Sequence, residues 1–319
     1  MPRSTASPAG RSPARRVDDR AGITEVAELF GPDGARLLGV RSAPSGPARG
    51  AVLCCSSIGN DLVKHYRREV LLARALAGAG VAVQRFQYRG TGNSDGDQAD
   101  VSRGSMVEDA TAAAALLEAA APGVPAAVVG ARFGALVAAE AAAADTRPLV
   151  LVEPVLDGSR YFTEAFRAKL MQSLAGSRGA RPTTADFVAA IDRGEAVDVL
   201  GNPVHPALYR SWQGRSVAGA LTGPRRSVLL VQFGDDVPVR PDLEKAAAGL
   251  SELGHDVEVV QVRGRETWWF LDERELVRVG GGRGQAAAGD AEPGDRPGAT
   301  DGLLGAVVPW LVERLGAAA

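Results

Sequence analysis

The chain has 319 residues, 45% of them hydrophobic and 23% charged, the balance of a globular protein that buries a sizeable core. Its formal charge of -2 leaves no electrostatic case for nucleic acid or an anionic membrane as a partner. No apolar run approaches the roughly 18 residues that span a bilayer. The two cysteines, Cys54 and Cys55, are adjacent within an apolar run, so they cannot staple distant segments. They read as small core residues in a reducing compartment, and the expected location is the cytoplasm.

Residues 1–22 are rich in Ser, Pro, Ala and Arg, lack an apolar core of the secretory type, and are expected to form a disordered tail. Ile23 to Phe30 and Arg36 to Arg41 then read as two strands joined through Gly31-Pro32-Asp33-Gly34. Gly50 to Cys55 is a short, wholly apolar strand of the buried parallel type. After Ser56-Ser57-Ile58-Gly59-Asn60, Asp61 is expected to cap a helix that stops at Gly78-Ala79-Gly80. Val81 to Phe86 is the next strand, running into Arg89-Gly90-Thr91-Gly92-Asn93-Ser94, where Ser94 is most simply a turn or cap residue.

Val107 to Ala121 reads as a helix, Ala126 to Ala131 as a strand, Phe133 to Ala144 as a helix and Leu149 to Val155 as a strand. Val228 to Phe233 and Val257 to Val262 are two late strands around a helix near Asp242 to Leu253, and Leu303 to Leu315 is the closing helix. Repeated alternation of strand and helix predicts an α/β fold, a mostly parallel sheet with helices on both faces. Two segments break the alternation. Residues 156–222 are mainly helical, and an insertion there reads as a lid over the strand ends. Residues 280–300, dominated by Gly, Ala, Asp and Pro, read as a flexible loop within one domain spanning 23–316.

The segment Ala126 to Ala139 has the frame of a nucleophile elbow, Gly-x-Ser-x-Gly, in which a sharp turn lifts the central side chain above the sheet. Here the frame is Gly130-Ala131-Arg132-Phe133-Gly134, with arginine in the serine position. A guanidinium remains protonated and is no nucleophile.

The elbow frame, the Tyr88 to Ser94 loop and the strand order with its inserted lid resemble the α/β-hydrolase superfamily from about Ile23 to Leu315. More narrowly, the chain resembles the type 2 exosortase A system-associated hydrolases, which carry Gly-x-Arg-x-Gly-Ala at the elbow. Their early loop is of Pro-Pro-Phe type followed by two acids. Here it is Ser56-Ser57-Ile58-Gly59-Asn60-Asp61, which keeps the second acid alone. Glu153 to Gly158, Phe166 to Leu170 and Gly194 to Gly201 also resemble that group's lid. The resemblance implies an α/β-hydrolase fold with a helical lid, and it names no substrate.

A catalytic triad needs a nucleophile, a base and an orienting acid within hydrogen-bond reach. The turn where the base belongs, Gly264 to Trp269, contains no histidine. The chain's three histidines are His65, His205 and His255. His65 and His255 are expected in exposed polar roles, while His205 either faces the cleft or is structural. Phe233-Gly234-Asp235-Asp236-Val237 resembles the superfamily's acid loop, with Asp236 as the triad acid or, alternatively, a turn residue bonding its own backbone. Trp268 and Trp269 either line the cleft or pack under the lid.

With two of three triad members missing, ordinary serine hydrolysis is not expected, since such losses cost about six decades of kcat. Arg132 at a helix N-terminus suits a carboxylate or phosphate. Alternatively it forms an internal ion pair with Asp61, Glu153 or Asp236. The leading expectation is a noncatalytic or atypical protein that binds a small anionic or acyl molecule through Arg132, Phe133, Ser57, Ile58 and Thr267, without metal or cofactor. The competing expectation is a hydrolase or acyltransferase acting on an ester or thioester through an unconventional nucleophile, Ser57 or Cys55. A third, a scaffold for a membrane-linked polysaccharide or protein-sorting system, rests on analogy alone.

Overall fold

The computed structural model describes residues 14–18, 22–31, 34–174, 182–234, 237–263 and 299–316. Its main sheet begins with β1 (Ala14–Asp18), β2 (Ile23–Phe30) and β3 (Leu37–Pro44), an antiparallel series. It continues through β4 (Gly50–Cys55), β5 (Val81–Phe86), β6 (Ala126–Ala131) and β7 (Leu149–Val152). Between β7 and the late strands lies a small hairpin, β8 (Val197–Val199) with β9 (Asn202–Val204). The strands β10 (Ser227–Phe233) and β11 (Asp256–Val262) close the sheet. Among the described residues the spatial order is β1-β2-β3-β5-β4-β6-β7-β10-β11, parallel from β5 through β11.

Alternation along β4 shows how both faces are covered. Ala51, Leu53 and Cys55 face α2 (Arg103–Ala120) and α3 (Gly134–Ala142), while Val52 and Cys54 face α1 (Gly59–Gly78). Every residue of β4 and β5 is buried, as parallel strands covered by helices require. Six further helices complete the described fold. They are α4 (Gly158–Leu174), α5 (Thr184–Asp192), α6 (Pro206–Ser211), α7 (Val217–Ala220), α8 (Pro241–Glu252) and α9 (Ala299–Gly316). Through Leu303, Val307 and Leu311, α9 packs on the α1 face.

Several expectations need correction. Residues 14–18 of the anticipated tail form a strand, because pairing with β2 satisfies their backbone donors and acceptors. The first helix starts at Gly59 after Ile58, which makes no side-chain cap, so Asp61 lies inside the first turn where its charge suits the helix dipole. The second helix starts earlier than Val107, at Arg103, because Ser102 and Ser105 form a reciprocal capping box. Of the anticipated loop 280–300, residues 280–298 lie outside the described residues, and 299–300 open α9.

The insertion between β7 and β10 carries α4, α5, the β8–β9 hairpin, α6 and α7. It docks on the elbow through aromatic rings: Phe133 meets Tyr161, Phe162 and Trp212 with centroids 4.9, 6.0 and 5.2 Å apart. The hairpin is an addition to the expected helices. Its tip, Leu200-Gly201, holds leucine at φ 54°, a left-handed conformation that leucine seldom adopts. Among the described residues no helix is long and apolar enough to cross a membrane.

Candidate functional site

The site is built on the carboxyl ends of β4, β6 and β7. At the end of β6, Arg132 takes φ 50°, and its backbone is pinned on both sides. Its N–H donates to Val152 O at 3.0 Å, and its carbonyl accepts from Ala135 N and Val155 N, each at 3.0 Å. The flanking glycines follow from close approach. A Cβ on Gly134 would lie 2.1 Å from Cys55 O, and one on Gly130 would lie 2.6 Å from Gly134 O. The elbow frame read in the sequence is therefore present in backbone geometry.

The Arg132 side chain is 18% exposed and meets acceptors from two elements among the described residues. Its Nε donates to Asp61 Oδ2 at 3.2 Å, and Nη1 to the backbone carbonyl of Glu153 at 3.3 Å. Asp61 comes from the first turn of α1, and Lys64, one turn further on, holds Nζ 3.9 Å from Asp61 Oδ1. Of the carboxylates expected as partners for Arg132, Asp61 meets it, and Asp236 lies outside the described residues. Glu153 contributes its carbonyl, while its own carboxylate accepts from Phe233 N at 2.5 Å and pairs with Arg240 at 2.9 Å.

Beneath this pair the would-be catalytic atoms are engaged elsewhere. The Phe133 N–H, which follows the elbow residue and is the donor an oxyanion hole uses, donates to Ser57 Oγ at 3.2 Å. Ser57 is buried at 1% exposure. Ser56 Oγ donates to Glu69 Oε2 at 2.6 Å. Burial pushes the Cys55 thiol up to about 12, so it stays protonated at neutral pH and is a poor nucleophile. Cys54 is raised for the same reason.

Above Arg132 opens a cavity of about 270 Å³. Arg132, Asp61, Lys64 and Tyr161 line it, with Ile58, Gly59 and Asn60 from the start of α1. The insertion supplies most of the remaining apolar wall, from Phe162 and Ala165 on α4 to Val204 and Leu208, and Val101 ahead of α2 adds to it. Of the expected ligand-binding residues, Arg132 and Ile58 stand in the wall, whereas Ser57 and Phe133 lie beneath it and bond each other. Asp236 and Thr267 lie outside the described residues, as do Trp268 and Trp269.

None of the chain's three histidines lines the cavity. His65, expected to be exposed, is buried at 1%. Both its ring nitrogens lack a hydrogen-bond partner among the described residues. Burial, helped by Arg68, Arg132 and Lys64, pushes its pKa down to about 3, so it is neutral. His255, also expected to be exposed, is buried with Nε2 2.7 Å from Leu221 O. His205 precedes α6 without a side-chain capping bond. Among the described residues no group of three or more His, Cys, Asp or Glu side chains is placed to hold a metal ion.

Lys64, Tyr161 and the α4 and hairpin wall were not singled out from sequence. Tyr161 and Phe162 are aromatics of the insertion with no sequence mark of a wall, and no periodicity ties Val204 or Leu208 to one. The one available signal was Lys64 following Asp61 by a helical turn, which places both on one face.

The strand order, the left-handed elbow and the insertion after β7 together define the α/β-hydrolase fold. Residues 46–190, just under half of the chain, match the family model described as serine aminopeptidase, S33. Est1E from Butyrivibrio proteoclasticus, solved with ferulic acid bound, is similar at 16% identity and a TM-score of 0.52, over 79% of this chain and 96% of that one. A hypothetical protein from Pseudomonas aeruginosa is similar at 16% identity and a TM-score of 0.53, over 81% and 92%. DcsB in complex with its substrate analogue gives 18% identity and 0.51, over 81% and 95%. At these identities the likeness is one of fold. No curated protein matches the chain.

Proposed function

We propose that this chain is a noncatalytic or atypical α/β-hydrolase-fold protein that binds a small anionic or acyl ligand in the cavity above its elbow. The observation that carries the reading is Arg132 itself, a permanent cation on the elbow turn and in the cavity wall. Arginine is suited to planar anions, and its place ahead of α3 adds the favourable end of a helix dipole. The arginine elbow also favours a place beside the type 2 exosortase A system-associated hydrolases, and Asp236 is kept in the proposal as the equivalent of the triad acid.

An unconventional nucleophile is disfavoured on two counts. Ser57 is buried and accepts the Phe133 amide proton, and Cys55 is held as a thiol. Neither is hydrogen-bonded to a histidine. His65 shares a small cavity with Cys55 but has no hydrogen-bond partner among the described residues and, at a pKa of about 3, is a weak base. His255 lies against Leu221 O.

The test uses the purified full-length protein. A fluorophosphonate probe should fail to label it, and small carboxylates or phosphates should raise its Tm. Arg132→Asn should abolish that rise while leaving the unliganded protein folded, since asparagine tolerates left-handed φ. Labelling at Ser57, or ester turnover at rates typical of esterases, would overturn the reading.

A further inference from the structure

Resting on that reading and narrowing it, we infer that the ligand is a hydroxycarboxylate, its hydroxyl seated between Lys64 and Asp61 and its carboxylate on Tyr161. These three side chains line one cavity and carry unused hydrogen-bonding capacity of different kinds. Lys64 supplies donors alone, the Asp61 carboxylate acceptors alone, and Tyr161 a hydroxyl that does both.

Each capacity follows from local geometry. The Lys64 ammonium has three protons, and Asp61 Oδ1 stands 3.9 Å from it, beyond hydrogen-bond length. Asp61 gives Oδ2 to Arg132, and its Oδ1 accepts no hydrogen bond among the described residues. A donor and an acceptor a little too far apart to meet leave room for a group that accepts from one and donates to the other. A hydroxyl does both with a single oxygen.

Tyr161 stands in the first turn of α4, its ring packed on Phe133 at 4.9 Å and on Phe162 at 5.3 Å between centroids. Packing fixes the ring, while the hydroxyl makes no hydrogen bond among the described residues. Desolvation, reinforced by the charge of Asp61, raises its pKa, so its proton is in place for donation at neutral pH.

A plain carboxylate meets Lys64 and Tyr161 but sets its charge beside Asp61 and offers Oδ1 no donor. An apolar ligand withdraws all three groups from water and satisfies none of them. A hydroxycarboxylate meets all three: its hydroxyl accepts from Lys64 and donates to Asp61 Oδ1, and its carboxylate accepts from Tyr161. These contacts are independent of the further partners of Arg132 and of the length of the ligand's tail.

Isothermal titration of the full-length protein with straight-chain acids from butanoate to decanoate, and with the 2-hydroxy and 3-hydroxy derivatives of each, tests the inference. At the chain length that binds best, one hydroxylated acid should bind at least about tenfold more tightly than the plain acid. Lys64→Met, at a half-exposed position, should bring that ratio to about one. Tyr161→Phe should weaken both members of the pair about fivefold and leave Tm unchanged, since the hydroxyl has no bond to lose in the unliganded protein. Equal binding of plain and hydroxylated acids, a ratio unmoved by Lys64→Met, or undiminished binding by Tyr161→Phe overturns the inference while the broader reading stands. If none of the acids binds but small phosphates still raise Tm, this inference falls alone. If neither class binds, both fall.

Discussion

Two adjacent strands end in oppositely charged residues with left-handed backbones, and the pair serves two different ends. Arg132 follows β6 at φ 50°, and Glu153 follows β7 at φ 45°. Their side chains diverge. Glu153 is buried at 3%, with one carboxylate oxygen on the Phe233 amide and the other on Arg240, so it braces β7 against β10 and the start of α8. Arg132 pairs with Asp61 and still lines a cavity. A closed brace is a feature of stability. A charge in the wall of an open volume, beside a lysine, is a feature of binding.

The sharpest way to break this contrast is Glu153→Ala. It strands the buried Phe233 amide and leaves Arg240 with Asp242, at 3.4 Å, as its remaining carboxylate among the described residues, at an expected cost of about 3 kcal/mol in urea unfolding. A loss below about 1 kcal/mol would mean the brace is redundant. Asp61→Asn should cost less, about 2 to 3 kcal/mol, because Arg132 keeps the Glu153 carbonyl and some water.

His65 supplies the next smaller effect and a sign. The unfolded chain takes up a proton near pH 6.5, whereas the folded chain resists until about pH 3. Between those values the unfolded state binds more protons, so stability falls as pH falls, by about 1.4 kcal/mol per unit. The penalty from this group is absent above about pH 6.5 and reaches about 2 kcal/mol near pH 5. His65→Leu should flatten that part of the stability profile relative to the parent protein. Parallel profiles for the two proteins would show that His65 is not buried neutral.

The fold was legible in the sequence where the hydrophobic period was unambiguous. Gly50 to Cys55, Val81 to Phe86 and Ala126 to Ala131 are strands within the stated limits, since short runs rich in Val and Ala next to Gly or Pro have few alternatives. The elbow was legible because its two glycines are dictated by backbone approach, whatever residue stands between them. The hairpin in the insertion was not. Three-residue strands have too little pattern, and Leu200-Gly201 lacks the Asn-Gly signature that marks such turns. Exposure of His65 was misjudged because a lone histidine among charged neighbours gives no sign of which helix face it occupies. The cavity wall was hidden for a similar reason. Lys64, Ala165 and Leu208 meet only in three dimensions, and nothing local distinguishes them from surface and core residues of the same kinds.

The smallest expected effect is the most discriminating. Arg132→Ser restores the residue that the elbow frame is built to present, at a φ the turn already imposes. If arginine were the sole obstacle, that substitution would create an esterase. The surroundings argue for the opposite outcome. None of the three histidines lines the cavity, so the new hydroxyl has no imidazole to deprotonate it. The Phe133 amide is directed to Ser57 Oγ, so one oxyanion donor is already committed. Without base and donor, turnover of a p-nitrophenyl ester by Arg132→Ser should stay within about tenfold of the parent protein's background. Adding Ser57→Ala should free the amide and raise the rate by no more than the single donor is worth, about a hundredfold. A gain of many decades from the serine alone would place a working base in reach of the elbow and dissolve the contrast between a preserved frame and a replaced chemistry.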